Sequence, residues 1–566
     1  MTPGLAGFVA SGHDEQTWDD AVDGVLAALG TEFAVVPERG AAPRGTRRRT
    51  WFDTFDWRLY RAGLILEYVA AARGGELRLS SASPAAPAAL GVQATPPADV
   101  AQPAPGWRAS RPHQLCDLPD GPVAARIAGL VAPRALLPAV TVFTGATVRR
   151  LLNDDGKTVA RLHIEHVAVA AGDHQPLPPR LTITEVRGYL GQGRRAVRLV
   201  AGSPGVRPVT ESVLADALRA VGRRPGDYSN KVAAPITAGM PAAEAAAVIL
   251  LRLLDTIEAN VPGVLRDTDT EFLHDLRVSV RRTRSALKLF GVALTAPTAA
   301  RGSALTSDEL ARFAAEFKWV GDLTTPTRDL DVHLLGFEET ARALRAAKPD
   351  DLEPFRAYLA QRRTREFRTL TRGLRAERFT SLTRDWRERL TRIREGASGR
   401  TGATARSGGS GKAAGETAGT LAAERTRRAF TRVAKQGGAI TPESPHESLH
   451  DLRKRCKELR YALEFFAPVL PPAACAAVVA DLKKLQDCLG EFQDTEVQIG
   501  EIRALAVAML AANEAPAVTL LAMGEVTAGL AARQQAARAD FERRFAAFGG
   551  PDGQRRMSLL LRGGLG

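Results

Sequence analysis

The chain has 566 residues, of which 45% are hydrophobic and 25% charged, ordinary values for a globular protein. Domains of ~100–200 residues are the norm, so this length excludes a single small core and predicts two to four domains. Lys and Arg outnumber Asp and Glu by 77 to 63, which gives a net charge of +14. The basic excess favours an anionic partner such as nucleic acid, polyphosphate or a membrane surface, without choosing among them.

The four cysteines are scattered along the chain. Cys116, Cys456, Cys475 and Cys488 form no CxxC pair and have no histidine cluster beside them, which argues against a disulfide framework and a structural zinc site. Residues 1–20 hold no basic segment followed by an apolar run, and no stretch reaches ~18 uninterrupted apolar residues. We therefore expect a protein of the reducing cytoplasm, without a membrane partner.

From residue 51 to about residue 200 the pattern is strand-like. Apolar and polar residues alternate, or nearly so, in short runs at 64–69, 160–165 and 181–186. Residues 80–106 are rich in Pro and Ala and have too few large apolar side chains to build a core, which is typical of an extended loop. We predict an antiparallel β-rich domain over residues 1–230 with an insertion at 80–106.

After residue 230 the pattern changes to long helical periods. Apolar residues recur at helical spacing in four segments, 242–259, 267–290, 307–323 and 355–395. A stretch rich in Gly, Ser, Thr and Ala at 396–419 has the composition of a flexible linker. We predict an α+β protein whose second domain, residues 238–550, is all-helical and contains two repeats, 240–395 and 420–548.

Two pairs of similar segments predict an internal duplication. HDLRVSVRRTRSALKLF begins at His274 and HDLRKRCKELRYALEFF begins at His450, and nearly half of the aligned positions are identical. A second pair follows in the same order, because residues 317–332 end in RDLDV and residues 482–497 end in QDTEV. Matching order of matching helices is hard to obtain by chance, so we interpret the helical half as one unit repeated.

Each copy places basic residues on one face of its first matched helix, and we call these two faces the basic stripes. At 3.6 residues per turn, the cations on this face are His274, Arg277, Arg281, Arg284 and Lys288 in the first copy, and His450, Arg453, Lys457 and Arg460, with Lys454 and Tyr461 at the edge, in the second. Like charges at i,i+4 destabilise a helix by about 0.2–0.5 kcal/mol per pair. Such a face can simply be exposed to water. A solvated face has no reason to preserve its spacing, however, and Arg and Lys suit phosphate oxygens, so the repeated spacing favours a bound polyanion.

Carboxylates are also matched between the copies. They are Asp329 and Asp331 in the first copy, and Asp494 with Glu496 in the second. Paired carboxylates can bind a divalent metal or act as acid and base. On a neighbouring helix they can instead orient arginines by charge-assisted hydrogen bonds, and we favour this supporting role. We predict no catalytic residue and no metal ligand among them.

The two halves resemble the CHAD family, the conserved histidine α-helical domain. The resemblance covers about residues 240–548 and rests on the two long runs above, on TRDLDV and on LQDCLGEFQD. It implies two helical bundles related by pseudo-two-fold symmetry, a basic cavity between them, binding of inorganic polyphosphate and targeting to polyphosphate granules. The ligand-binding residues that it implies are His274, Arg277, Arg281, Arg284, His450, Arg453, Lys457 and Arg460.

The segment WFDTFDWRLYRAGL, which begins at Trp51, resembles a motif of CYTH domains, the triphosphate tunnel fold. This resemblance implies a closed β-tunnel in which carboxylates hold a divalent metal and basic side chains hold a triphosphate, so that metal-activated water cleaves a phosphoanhydride. The family's opening E-x-E-x-K strand has no counterpart in residues 1–49, and later strands keep only single glutamates, Glu165 and Glu185. Basic residues that suit a tunnel lining or a solvated strand face are Arg47, Arg48, Arg49, Arg58, Arg61, Arg73 and Arg78.

Three functions compete. The first is non-catalytic binding of inorganic polyphosphate by the helical half, with a degenerate CYTH-like domain that assists or only scaffolds. The second is an inorganic triphosphatase in the N-terminal half that uses Mg or Mn, which the missing acidic strand opposes. The third is nucleic-acid binding, which 6% aromatic content and stripes with only Tyr461 for stacking disfavour. We prefer the first, with no cofactor.

Overall fold

The computed structural model divides the chain into two compact units, residues 1–229 and 230–566, a boundary next to the predicted one. It describes residues 5–12, 14–38, 44–71, 74–82, 99–170, 174–296, 304–404 and 416–562. Arg73 and residues 405–415, the middle of the predicted linker, lie outside these ranges.

The first unit is built on one antiparallel sheet. Its described strands are β1 (Leu5–Ala10), β2 (Ala34–Pro37), β3 (Arg44–Asp53), β4 (Leu64–Ala71), β5 (Gly74–Ser81), β6 (Val100–Ala104), β7 (Leu137–Leu152), β8 (Thr158–Val169), β9 (Pro176–Glu185) and β10 (Val206–Pro208). They lie in the order β10-β1-β9-β8-β7-β3-β4-β5-β6, and β2 pairs with β7. The predicted antiparallel β-rich domain is confirmed, whereas closure into a tunnel stays a prediction.

Short helices cover the sheet of the first unit. They are α1 (Glu15–Gly30), α2 (Arg58–Arg61), α3 (Pro122–Val131), α4 (Leu190–Ala201) and α5 (Val213–Ala220). Ile127 of α3 packs with Leu66 and Leu77 of the sheet, while Val25 of α1 packs with Leu162. Alternation along β4 and β8 puts every second side chain into such clusters, which is why these strands were recognisable from the sequence.

The prediction of a loop over the whole of residues 80–106 is wrong at both ends, because Ser80 and Ser81 belong to β5 and Val100–Ala104 forms β6, which pairs with β5. Residues 83–98 lie outside the described ranges. Gln102 in this strand is buried, and its side chain is satisfied. Its Oε1 accepts a hydrogen bond from the Val123 amide, and its Nε2 donates to the Pro119 carbonyl, both at 2.9 Å. The strand depends on ladder bonds and a buried amide, so it lacks the apolar alternation that reveals other strands.

The second unit is helical, as predicted. Its described helices are α6 (Ala242–Leu265), α7 (Thr270–Thr295), α8 (Ser307–Leu335), α9 (Phe337–Arg342), α10 (Glu353–Arg375), α11 (Glu377–Thr404), α12 (Ala418–Gly438), α13 (His446–Phe465), α14 (Pro472–Ala511), α15 (Ala517–Gly549) and α16 (Pro551–Arg562). Within the ranges that the structure describes, no helix is long and apolar enough to cross a membrane.

Both ends of the predicted linker 396–419 are helical, so that prediction is too wide. Helix α11 runs on to Thr404, because extending an existing helix is easier than nucleating one. Helix α12 begins at Ala418, whose amide donates to the Met240 carbonyl at 2.8 Å. Gly419 lies so close to Ala238 that a Cβ there would come within 3.1 Å of its carbonyl oxygen. The glycine at this end serves close packing.

Helices α7 and α13, which carry the two matched runs, pack against each other. Phe290 at the end of the first run and Phe466 at the end of the second occupy aligned positions, and their ring centroids lie 5.4 Å apart. Contact between equivalent residues is what a two-fold arrangement produces. Pseudo-symmetry of the whole unit stays a prediction.

Candidate functional site

A cavity of about 490 Å³ lies between helices of the two predicted repeats. Its walls come from α7 and α8 on one side and from α13 and α14 on the other. Its ionisable lining residues are His274, Arg277, Arg281, Arg284, Arg328, His333 and Arg453, with the carboxylates Asp322, Asp329, Asp494 and Glu501. Four of the five cations predicted on the first helix face therefore line one cavity, together with Arg453 of the second.

Arg277 is the half-buried cation at the α7–α8 contact. Its Nη1 donates to the Thr325 hydroxyl at 2.7 Å and, more weakly, to the Thr324 hydroxyl at 3.4 Å. Burial lowers the pKa of Arg277, and the nearby carboxylate of Asp329 partly offsets this. Two hydroxyls hold the guanidinium in place, so little side-chain entropy is lost when an anion binds.

The matched carboxylates lie near the matched arginines, and in the second copy the two form an ion pair. Arg453 Nη2 lies 2.8 Å from Asp494 Oδ1, as Asp329 attracts Arg277 in the first copy. Burial raises the pKa of Asp329, and the neighbouring Glu501 raises it further.

Lys457 is half-buried and lies near Arg281 and Arg453, which line the cavity. Burial, together with the charges of Arg453 and Arg281, lowers its pKa from 10.5 to about 8, and Asp494 acts in the opposite direction. Lys457 and Arg281 occupy aligned positions of the two copies. The cationic faces of α7 and α13 therefore approach each other closely enough to repel, a cost that a bound anion removes.

Arg284 and Arg460 also occupy aligned positions, but only Arg284 lines the cavity. Arg460 Nε is held by Glu464 at 2.8 Å, and its Nη1 donates to the Gln486 side chain at 3.3 Å. In the first copy the residue aligned with Gln486 is Gly321, and a Cβ there would come within 3.3 Å of Arg284 Nη1. The missing side chain leaves Arg284 room to face the cavity.

The other predicted site residues lie outside the cavity lining. Lys288 is exposed, Lys454 pairs with Asp451 at 3.0 Å, and His450 Nδ1 lies 2.5 Å from Gln493 Oε1. The expectation that Asp331 orients a stripe arginine is wrong: it is buried and accepts a hydrogen bond at 2.6 Å from Arg363 of α10. The reason is helical geometry, because two residues beyond Asp329 a side chain points to another face.

His333 and Glu501 are cavity residues that the sequence reasoning missed. His333 Nε2 lies 2.8 Å from Glu501 Oε2, so the pair joins α8 to α14 across the two predicted repeats. The signal was present, since His333 follows Asp329 by four residues and Glu501 follows Asp494 by seven. Both spacings put the later residue on the same helix face as the earlier one.

Cations outweigh carboxylates at this site. Counting Lys457, six cations face four carboxylates, and three of these are engaged, Asp322 by Lys318, Asp494 by Arg453 and Glu501 by His333. Arg281 and Arg284 have no carboxylate partner among the residues that the structure describes. These two guanidiniums are therefore available for an anion.

The first unit holds a different cluster of charges. Arg49 of β3 forms ion pairs with Glu67 of β4 and, at 2.8 Å, with Glu165 of β8. Glu185 packs against Gly193 of α4, where a Cβ would come within 2.5 Å of it. In the described ranges no group of three His, Cys, Asp or Glu residues is placed to hold a metal ion.

Asp53, from the segment that resembles the CYTH motif, has a structural role. Its buried carboxylate accepts hydrogen bonds from the amides of Thr54, Leu59 and Tyr60 at 2.7–3.0 Å. Burial raises its pKa to about 7. These hydrogen bonds stabilise the turn that leads into α2, so Asp53 of the motif serves the local fold.

Comparison with known proteins identifies residues 248–503 of the second unit. The CHAD domain family model matches residues 248–503, and this part of the chain is a CHAD domain. The chain is similar to the CHAD domain from the plant Ricinus communis, with 23% identity over 57% of this chain and 96% of that one and a TM-score of 0.45. It is also similar to PptA from Streptomyces chartreusis, with 17% identity over 54% and 99% of the two chains and a TM-score of 0.39. No curated protein matches the chain. The resemblance of the first unit to CYTH domains stays a prediction.

Proposed function

We propose that the protein binds inorganic polyphosphate without turning it over, and that the basic cavity of the CHAD domain holds the chain. The observation that carries this proposal is the convergence of Arg277, Arg281, Arg284 and Arg453 on one cavity. Guanidinium forks match phosphate oxygens and stay charged at every physiological pH. The association of the CHAD family with polyphosphate supports the same ligand.

The composition of the cavity favours polyphosphate over single-stranded nucleic acid. Among its described lining residues there is no Phe, Tyr or Trp on which a base could stack. The two histidines that line it, His274 and His333, are the only rings, and His333 is engaged by Glu501. A linear chain of phosphates needs only cations and hydrogen-bond donors, which this cavity supplies.

Titration calorimetry of the full chain with polyphosphate tests the proposal. We expect binding that weakens steeply with salt, as counterion release requires. The variant R281Q/R284Q/R453Q should bind at least about tenfold more weakly, since three charge-assisted contacts are removed. The control R384Q/R392Q/R543Q removes three exposed arginines that do not line the cavity and lowers the net charge equally.

Equal affinity of the cavity variant and the wild type would overturn the proposal. So would an equal loss in the control variant, because the effect would then come from net charge. Competition by single-stranded nucleic acid at the same phosphate concentration separates the two polyanions. We expect polyphosphate to remain bound.

A further inference from the structure

Helix α10 carries a row of arginines that belongs to neither predicted stripe. The helix contains seven arginines and two glutamates. Six of the arginines are exposed, and one of these, Arg356, pairs with Glu338 and Glu353. The other five recur at spacings of three and four residues: Arg362, Arg365, Arg368, Arg372 and Arg375. They share an arc of about 140°, opposite the buried side chains of this helix, Phe355, Leu359, Leu370 and Leu374. We call these five residues the arginine track.

The arginine track differs from the arginines of the next helix in having no carboxylate partners. In α11, Arg378 pairs with Glu316 at 2.8 Å, Arg387 with Asp255 at 2.7 Å and Arg389 with Glu309 at 3.0 Å. Within the part of the chain that the structure describes, no residue of the track forms an ion pair. The carboxylates that pair with α11 come from the neighbouring helices α6 and α8, and such partners offset the repulsion between like charges on a helix face. The repulsion between the five arginines of the track is not offset in this way.

The track begins beside the basic cavity, at a smaller cavity that adjoins it. Arg362 lines a smaller cavity of about 270 Å³ together with Asp329, His333 and Glu501, which also line the larger one. From Arg362 the track runs 13 residues along α10, which is about 20 Å at 1.5 Å per residue. Arg362 therefore links the surroundings of the basic cavity to the exposed face of α10, past the carboxylates of Asp329 and Glu501.

We infer that the arginine track takes the part of a long polyphosphate chain that emerges from the basic cavity, and so makes the protein prefer long chains to short ones. This inference rests on the proposed function. Exposed arginines bind weakly one at a time. Once the cavity holds one segment of the chain, however, the next segment is at high effective concentration beside the track, so weak contacts add to the affinity.

The test compares tripolyphosphate with long-chain polyphosphate on the full chain. The variant R365Q/R368Q/R372Q should bind long-chain polyphosphate about tenfold more weakly than the wild type. Its salt dependence should flatten by about two in the logarithmic slope, because three phosphate contacts are lost. Its affinity for tripolyphosphate should not change, since the cavity is intact. Gln is a good helix former, so α10 should keep its helicity, which circular dichroism checks.

The same control, R384Q/R392Q/R543Q, should match the wild type with both ligands. Wild-type affinity of the track variant for long chains would overturn the inference while leaving the proposed function in place. Equal weakening of the control would overturn it too, because net charge would be the cause. If the track residues matter for single-stranded DNA and not for polyphosphate, the track is a nucleic-acid surface and the inference fails. If the wild type binds neither phosphate ligand, the proposed function itself fails.

Discussion

Arg281 and Lys457 occupy aligned positions of the two copies, and the charge of Arg281 is one of the causes that lower the pKa of Lys457 to about 8. An ammonium group that is half-buried between two guanidiniums gives up its proton more readily than it does in the unfolded chain, where its ordinary value is 10.5. Between pH 8 and 10.5 the unfolded state binds more protons than the folded state, so the free energy of unfolding rises with pH in this range. Polyphosphate acts in the opposite direction and favours the charged form.

Binding of polyphosphate should therefore take up a proton at Lys457. We expect the affinity to fall as the pH rises above about 8, where the free protein has lost this charge. Calorimetry in buffers of different ionisation enthalpy measures the uptake directly. The variant K457R keeps the charge and should abolish the uptake while retaining affinity. Unchanged uptake in K457R would show that another group is responsible.

Substitution of Gly321 by Ala should weaken binding without weakening the fold. The new Cβ would lie 3.3 Å from Arg284 Nη1, and the flexible guanidinium would have to move away. Inside a helix Ala is better than Gly by about 0.5–1 kcal/mol, so the free energy of unfolding should not fall. Gly524 of α15 is exposed with no neighbour within 4 Å of such a Cβ, which makes G524A the matched control. A loss of affinity in both variants would contradict this explanation.

Arg363 should be important for stability. It lies between Asp331, which is buried, and Asp267, with N–O distances of 2.6 Å to each. In R363Q the buried carboxylate loses its partner, and we expect a cost of about 3 kcal/mol at neutral pH. Burial already raises the pKa of Asp331 and removal of Arg363 raises it further, so the cost should grow as the pH rises from acidic values.

Urea unfolding followed by far-ultraviolet circular dichroism measures this effect. The double variant R363Q/D331N should recover much of the loss, since it removes the unpaired charge. A loss in R363Q that does not depend on pH would rule out Asp331 as its cause.

The first unit should not release phosphate from tripolyphosphate with Mg or Mn. The half-buried side chains of Glu67 and Glu165 already pair with Arg49, so a cation would have to displace a guanidinium. A phosphate-release assay on the full chain measures this. Metal-dependent release that disappears in Glu185→Ala would establish the triphosphatase alternative instead.

The sequence predicted the cavity cations of the first copy because they lie on a single helix, where spacing alone decides which side chains share a face. It could not predict the place of Arg460. The residue that accepts a hydrogen bond from its Nη1, Gln486, comes from another helix. The residue aligned with Gln486 in the first copy, Gly321, is 139 positions before Arg460 in the chain. The arginine track was equally hidden, because its spacing is not repeated in the second copy and a row of charges on one helix is typical of a solvated face. Strand β6 lacked a pattern altogether, since Gln102 is buried by hydrogen bonds to residues far along the chain.

The unequal surroundings of Arg284 and Arg460 leave the first copy with more cations facing the cavity than the second. A linear polyphosphate reads the same from either end, so this unevenness cannot impose a direction on the chain. Each internal segment is also an equivalent ligand, and the number of registers in which one chain can be held grows with its length. Every doubling of that number lowers the binding free energy per chain by about 0.4 kcal/mol through statistics alone. A site of this kind can therefore shift along its ligand from register to register without ever meeting a preferred position.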